Sequence, residues 1–342
     1  MRSGFAGIDL AFAKKKRLPI SVCTWQEGRL VPEALRPLPF EPPRGSGNAK
    51  VLNHQVVSDF AQATSNYLTD VCDHLDIRLE RIAIDAPSAA RSNDTERRAA
   101  EVAMDRAGIS CFATPSTHDF GKIFEKVERH LDGGGAENRI PHANQLWMVV
   151  GFELFRQLSS TAPCIEVFPQ ATARVLGAGR VHKSQSGGVV AQLREAAIHT
   201  GWPSEQPCDV SFEEIAFGPD HDRLDAYLSA WVGALEAKDR IAFGNPPDDV
   251  IWAPRVGDGS FERPRLVAQK GGGRGRQART GVPHDERLKR LCPACGQHQF
   301  QRWPSGWDSH AAHKCAGLLK SDPEERKKEF KSRFASEFSR DT

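Results

Sequence analysis

The sequence predicts an α/β fold, a mixed sheet with helices on its faces, followed by a small C-terminal zinc-binding module. Three observations carry this. Short strand-like apolar segments open the chain and then alternate with segments of helical period. A Gly/Arg-rich stretch centred on KGGGRGRQART interrupts the chain at residues 257–287 and reads as a linker. Beyond it, three cysteines and three histidines crowd between Cys292 and Cys315.

The elements follow in order. Gly4–Ala13 reads as a strand entering a turn, with Asp9 between Ile8 and Leu10. Pro19–Trp25 alternates as a second strand, and Arg29–Val31 is a weak third. Across Val51–Leu75 the apolar residues Val56, Val57, Phe60, Ala63, Tyr67, Val71 and Leu75 recur at helical spacing. The stretch RIAID, Arg81–Asp85, is a short strand ending in an acid before the turn-forming Ala-Pro-Ser.

Residues 88–138 read as an insertion with one helix at Asp94–Ala107, ending near the tract Asp132–Ala136. Asn144–Leu158 is a second strong helix, carrying Trp147, Val150, Gly151, Leu154 and Phe155 along one side. CIEVF, Cys164–Phe168, is a buried strand stopped by Pro169. Helices are expected at 190–201 and at Asp220–Ala237, and Ile241–Pro254 packs back on the body. A run of strands that then alternates with helices requires both antiparallel and parallel pairing in one sheet. Residues 1–256 thus form the body, and 288–342 the zinc module with its C-terminal helix.

Composition limits the function. No apolar run approaches the roughly 20 residues of a membrane-spanning helix. The N-terminal apolar stretch precedes the basic run Lys14–Arg17, the reverse of a secretory signal, so a cytoplasmic protein without membrane contact is expected. Cys23, Cys72, Cys111, Cys164 and Cys208 are scattered and read as core thiols. The net charge of +2 hides an asymmetry: residues 1–256 hold 28 Lys/Arg against 33 Asp/Glu, and residues 257–342 hold 18 against 11. A basic tail of this kind suits a polyanionic partner and equally a solvated linker.

Five acids stand out by position: Asp9, Asp85, Glu166, Asp222 and Asp225. Asp9 and Glu166 sit between apolar strand neighbours, and Asp222 and Asp225 share one face of the last helix of the body. An unpaired carboxylate near a sheet centre is costly, and a divalent cation relieves that cost. Two ions, Mg²⁺ or Mn²⁺, held by such a cluster support in-line hydrolysis of a phosphodiester. Structural roles compete with this, since Asp85 can cap the Ala-Pro-Ser turn and Asp222 can cap its helix. Secondary candidates are Arg98 and Glu101, Lys183 as a phosphate contact or an exposed side chain, and His221 beside Asp222. The Ser186–Gly188 stretch lacks the Gly-Lys-Ser/Thr ending of a phosphate-binding loop.

The ordered motifs GIDLAFAKKK, IAIDAPS, RRAAEVAMDRAGISCFATPS, WMVVGFELF, CIEVFPQAT and HDRLDAYLSA resemble those of the domain of unknown function 429 family, across about residues 4–255. The resemblance implies a ribonuclease-H-like sheet and a predicted nuclease. It implies Asp9, Asp85, Glu166 and Asp225 as metal ligands, with Asp222 auxiliary. The run HDRLD also looks like the Asp-x-x-Asp of Holliday-junction resolvases.

In the module, Cys292-Pro-Ala-Cys295 forms a knuckle, and His310 and Cys315 complete a donor set for one structural Zn²⁺. His313 and His298 are competing donors. Phe300 and Trp307 offer a small core, and a unit this small folds only with its metal. Pro323–Phe338 reads as a charged helix that docks on the module. The expected function is hydrolysis of DNA or RNA, with the module aiding nucleic-acid binding. The alternative is a non-catalytic nucleic-acid- or protein-binding adaptor.

Overall fold

The structure, a computed structural model, describes residues 1–177, 183, 187–204, 210–256, 290–291, 299–300, 311, 315, 318 and 322–333. The chain divides into two compact units, Met1–Val267 and Ala268–Thr342.

The first unit is built on a five-stranded mixed sheet. Its strands are β1 (Arg2–Asp9), β2 (Ile20–Gln26), β3 (Arg29–Pro32), β4 (Ile77–Asp85) and β5 (Cys164–Glu166), in the order β3-β2-β1-β4-β5. The β1–β2 and β2–β3 pairs are antiparallel, whereas β1–β4 and β4–β5 are parallel. The turn Glu27–Gly28 joins β2 to β3, and the longer connection 10–19 joins β1 to β2. Each parallel return instead needs a helical crossover, supplied first by α1 (His54–His74).

Two layers of helix cover the sheet. Ile8 of β1, Ile20 and Val22 of β2, and Ile82 and Ile84 of β4 share one core with α1 and with α4 (Ala143–Leu158). Each such side chain, fully buried, contributes about 1.5–3 kcal/mol. Cys23, Leu30 and Val31 face the other layer, α6 (Gly188–Thr200) and α7 (Asp220–Ala234). Burial pushes the Cys23 and Cys72 thiols up to about 12, as suits core thiols. Cys208 lies outside the described residues. No described helix is long and apolar enough to cross a membrane.

The segment expected to hold one helix holds two. The first, α2 (Ala99–Arg106), starts later than Asp94, and α3 (Thr117–Asp132) follows it. Ser116 caps α3, its Oγ accepting from the Asp119 N–H at 3.2 Å, and Phe120, Ile123 and Val127 bury one face. β5 ends at Glu166, short of the expected Phe168, and Pro169 opens a further helix, α5 (Pro169–Val175), because its fixed φ suits a first helical position. Ile241–Pro254 is more than a packed tail. It forms an antiparallel hairpin of β6 (Arg240–Asn245) and β7 (Asp249–Pro254).

In the second unit, Arg290–Leu291 pairs antiparallel with Gln299–Phe300. Its helix, Pro323–Arg333, buries Phe330, and the Arg326 Nε donates to the Ala311 carbonyl at 3.0 Å. Cys315 is buried. Of the expected zinc donors, Cys292, Cys295 and His310 lie outside the described residues, as do His298, His313, Trp307, Phe334 and Phe338.

Candidate active site

The parallel strands end together, and the acids end with them. Asp9 is the last residue of β1 and Asp85 the last of β4, directly opposite one another in register. Register partners point to the same face of a sheet. Gly7 and Ala83, two residues back on the two strands, are partners as well, and both lie against α7. Asp9 and Asp85 therefore face α7, which brings Asp225.

That approach depends on small residues. A Cβ on Gly7 would stand 2.1 Å from the Ala226 carbonyl oxygen and 2.2 Å from the Ala230 nitrogen. At Gly233 a Cβ would stand 3.3 Å from that of Ala83. Glycine and alanine thus let the helix lie on the sheet backbone, which lowers Asp225 to the level of the strand ends. One carboxylate oxygen from each of Asp9, Asp85 and Asp225 lies within 4.8 Å of the others.

The three acids form the floor of a cleft of about 530 Å³. Asp222, one turn earlier on α7, also lines it, together with Lys16, Lys183, Phe112, Trp147 and Phe168. Lys183 Nζ pairs with Asp225 Oδ2. Lys16 Nζ lies 2.5 Å from Asp222 Oδ2, an ion pair without hydrogen-bond alignment, and His221 Nε2 is 3.1 Å from Asp222 Oδ1. Lys183, open at the level of sequence between a phosphate contact and an exposed side chain, is thus half-buried in the cleft wall.

Electrostatics at the floor are strained. Burial raises the Asp9 carboxyl well above the ordinary carboxylate range, helped by Asp85 and Asp222 and opposed by Lys183 and Lys16. Burial likewise pushes Asp85 up to about 7, with Lys183 lowering it and Glu166 raising it. Four carboxyl groups converge here beside only two lysines, so oxygen donors outnumber the cations next to them. This donor set fits Mg²⁺ or Mn²⁺.

Glu166 does not join the group. Its register partner is Ile84, whose side chain faces α1 and α4, so Glu166 leaves the sheet on the face opposite Asp85. There Arg98 holds it with two parallel bonds, Nη1 to Oε1 at 2.9 Å and Nη2 to Oε2 at 2.7 Å, and the Ser88 N–H donates to Oε2 at 3.1 Å. Burial pushes the Glu166 carboxyl up, and the Arg98 fork pulls it back. Arg98 also donates through Nε to Asp249 Oδ1 at 3.0 Å. The other Asp249 oxygen accepts the Ala99 N–H at 2.6 Å, so β7 caps α2 from a distance. Glu101 adjoins this network through the backbone: Oε2 accepts the Arg98 N–H at 3.4 Å, and Oε1 accepts the Thr114 N–H at 2.7 Å.

Residues 7–249 match the family model described as "Protein of unknown function (DUF429)". The chain belongs to the DUF429 family. No curated protein and no solved structure matches this DUF429 chain. The match ends at Asp249 and so takes in every residue that lines the cleft.

Sequence reasoning singled out neither Lys16, Phe112 and Trp147 as cleft residues nor Asp249 as the partner of Arg98. Lys16 had a signal, since it closes the same GIDLAFAKKK motif as Asp9. Asp249 had none, because its partner Arg98 is 151 residues away.

Proposed function

We propose that this DUF429 chain is a metal-dependent phosphodiester hydrolase acting on nucleic acid, with a ribonuclease-H-like body. One observation carries the reading: carboxylates from β1, β4 and α7 converge within 4.8 Å at the carboxyl ends of parallel strands, where open α/β sheets bind their ligands. Asp9, Asp85 and Asp225 would hold the cation, with Asp222 beside them. When bound, a divalent ion would supply charge stabilisation and an activated water for in-line displacement. The chain's own contributions are positional. Lys16 and Lys183 bring positive charge to the same cleft and would turn from the acids to the phosphate once a cation neutralises the floor. Glu166, held by Arg98, fixes the strand end beside Asp85 rather than touching substrate.

A second reading, a non-catalytic binding protein of the same fold, also has an observation in its favour. Lys183 and Lys16 already pair with Asp225 and Asp222, which neutralises part of the cluster without an ion.

Cleavage of single- and double-stranded DNA, RNA and branched DNA, measured with and without Mg²⁺ or Mn²⁺, separates the two. The hydrolase reading expects cation-dependent cutting that disappears in both Asp9→Asn and Asp225→Asn. Cutting retained by both variants, or absent with every substrate, rejects it.

A further inference from the structure

The wall of the cleft carries more information than its floor. Five large hydrophobic side chains are exposed among the described residues: Met1, Trp25, Phe112, Val190 and Ile198. Of these only Phe112 lines the acid cleft, and it is 60% exposed. It sits in the loop between α2 and α3. Trp147 of α4 and Phe168, at the start of α5, line the same cleft and are half-buried. Phe112 differs from the other four in sharing a cleft with Trp147, Phe168 and two lysines, and a planar π-face beside lysines suits a base with its phosphate attached.

Size narrows the ligand further. A cleft of about 530 Å³ falls within the ~300–1,000 Å³ of sites that enclose a single small group. It has room for one nucleotide. An aromatic side chain in a cleft stacks most readily on a base that has left the duplex, since its full π-face is then free.

We infer that the cleft takes one unpaired nucleotide of a nucleic-acid strand, its base stacked on Phe112 and Trp147 and its phosphate turned toward Lys16, Lys183 and the acidic floor. This rests on the hydrolase reading for the role of the acids, but its binding geometry does not require turnover. It makes the substrate single-stranded, or a strand with a displaced base. A free mononucleotide carries the same base and phosphate, and the test below separates it from the strand.

The test uses the full-length chain and short oligonucleotides carrying 5-iodouridine, which photocrosslinks to nearby aromatic side chains. Without added magnesium, irradiated complexes are digested and the adducts mapped by mass spectrometry. Single-strand adducts are expected at Phe112 or Trp147. Phe112→Ala, at a 60% exposed position, should leave the melting temperature unaltered, weaken single-strand binding roughly fivefold or more and leave duplex binding unchanged. A free mononucleotide should compete poorly. Adducts confined to residues 257–342, equal Phe112 sensitivity for duplex, mononucleotide competition as strong as the strand's, or no nucleic-acid binding each overturn the proposal. Mapped adducts without cation-dependent cleavage would retain this inference and reject the hydrolase. Cleavage of duplex that ignores Phe112→Ala would do the reverse.

Discussion

Gly7 of β1 and Ala226 of α7 approach so closely that a methyl group on Gly7 would sit 2.1 Å from the Ala226 carbonyl oxygen. All three obstructing atoms, that oxygen and the Ala230 nitrogen and Cα, belong to the helix backbone, so no side-chain rotation relieves the clash. The helix must lift, and Asp225 lifts with it. Gly7→Ala should therefore cost on the order of 1–3 kcal/mol or more and weaken cation binding. Denaturant unfolding and Mn²⁺ titration followed by calorimetry check both. Unchanged affinity in a stably folded Gly7→Ala protein would show that the helix height does not set the site.

The raised Asp85 carboxyl predicts a pH dependence with a definite sign. In the metal-free protein the folded state keeps this proton up to about 7, whereas an unfolded aspartate releases it near ~3.9. Between those values the folded state binds more protons, so stability falls as pH rises through the window. Asp85→Asn should flatten this slope, by a total on the order of 2–4 kcal/mol. Added Mg²⁺ should stabilise the wild type more at pH 8 than at pH 5.5. Urea melts at the two pH values, with parallel curves for wild type and Asp85→Asn, would rule the effect out.

Arg98 and Glu166 form a buried bidentate pair, each side chain 6% exposed. Removing one partner leaves the other charge buried and unpaired, so Arg98→Ala should cost about 3–5 kcal/mol. The double variant Arg98→Ala/Glu166→Ala should recover part of that loss. A double-mutant cycle gives the coupling directly, and strict additivity would contradict the geometry.

Asp249 caps α2 from another element, through the Ala99 N–H and Arg98 Nε. Asp249→Ala should cost about 0.5–2 kcal/mol, while Asp248→Ala, its neighbour, should cost far less. Chemical denaturation of the two variants side by side is the check.

For the second unit, about one zinc ion per chain is expected, lost when Cys292→Ser and Cys295→Ser are combined. Elemental analysis of protein purified without chelator measures it, and a zinc-free preparation that retains the helix Pro323–Arg333 would exclude a structural ion.

Much of this protein was determined locally. The strands β1 to β5 and the helices α1, α4, α6 and α7 were legible because each carries its own period of apolar residues, and Asp9, Asp85, Asp222 and Asp225 were legible as acids at element ends. The second helix of the 88–138 segment was also legible in principle, from its Ser116–Asp119 cap and the Phe120, Ile123, Val127 spacing. The β6–β7 hairpin carried two short apolar runs either side of the turn-forming Asn-Pro-Pro-Asp. What the sequence could not specify was which face each acid would take. Glu166 resembles Asp9 in its apolar neighbours, yet a one-residue difference in register sends a side chain to the other side of a sheet, and register is a property of strand pairs. The partnership of Glu166 with Arg98, the capping of α2 by Asp249 and the aromatic wall opposite the acids all join residues far apart in the chain. Only the packed tertiary structure brings them together, because the contacts that place them exist nowhere in a single element.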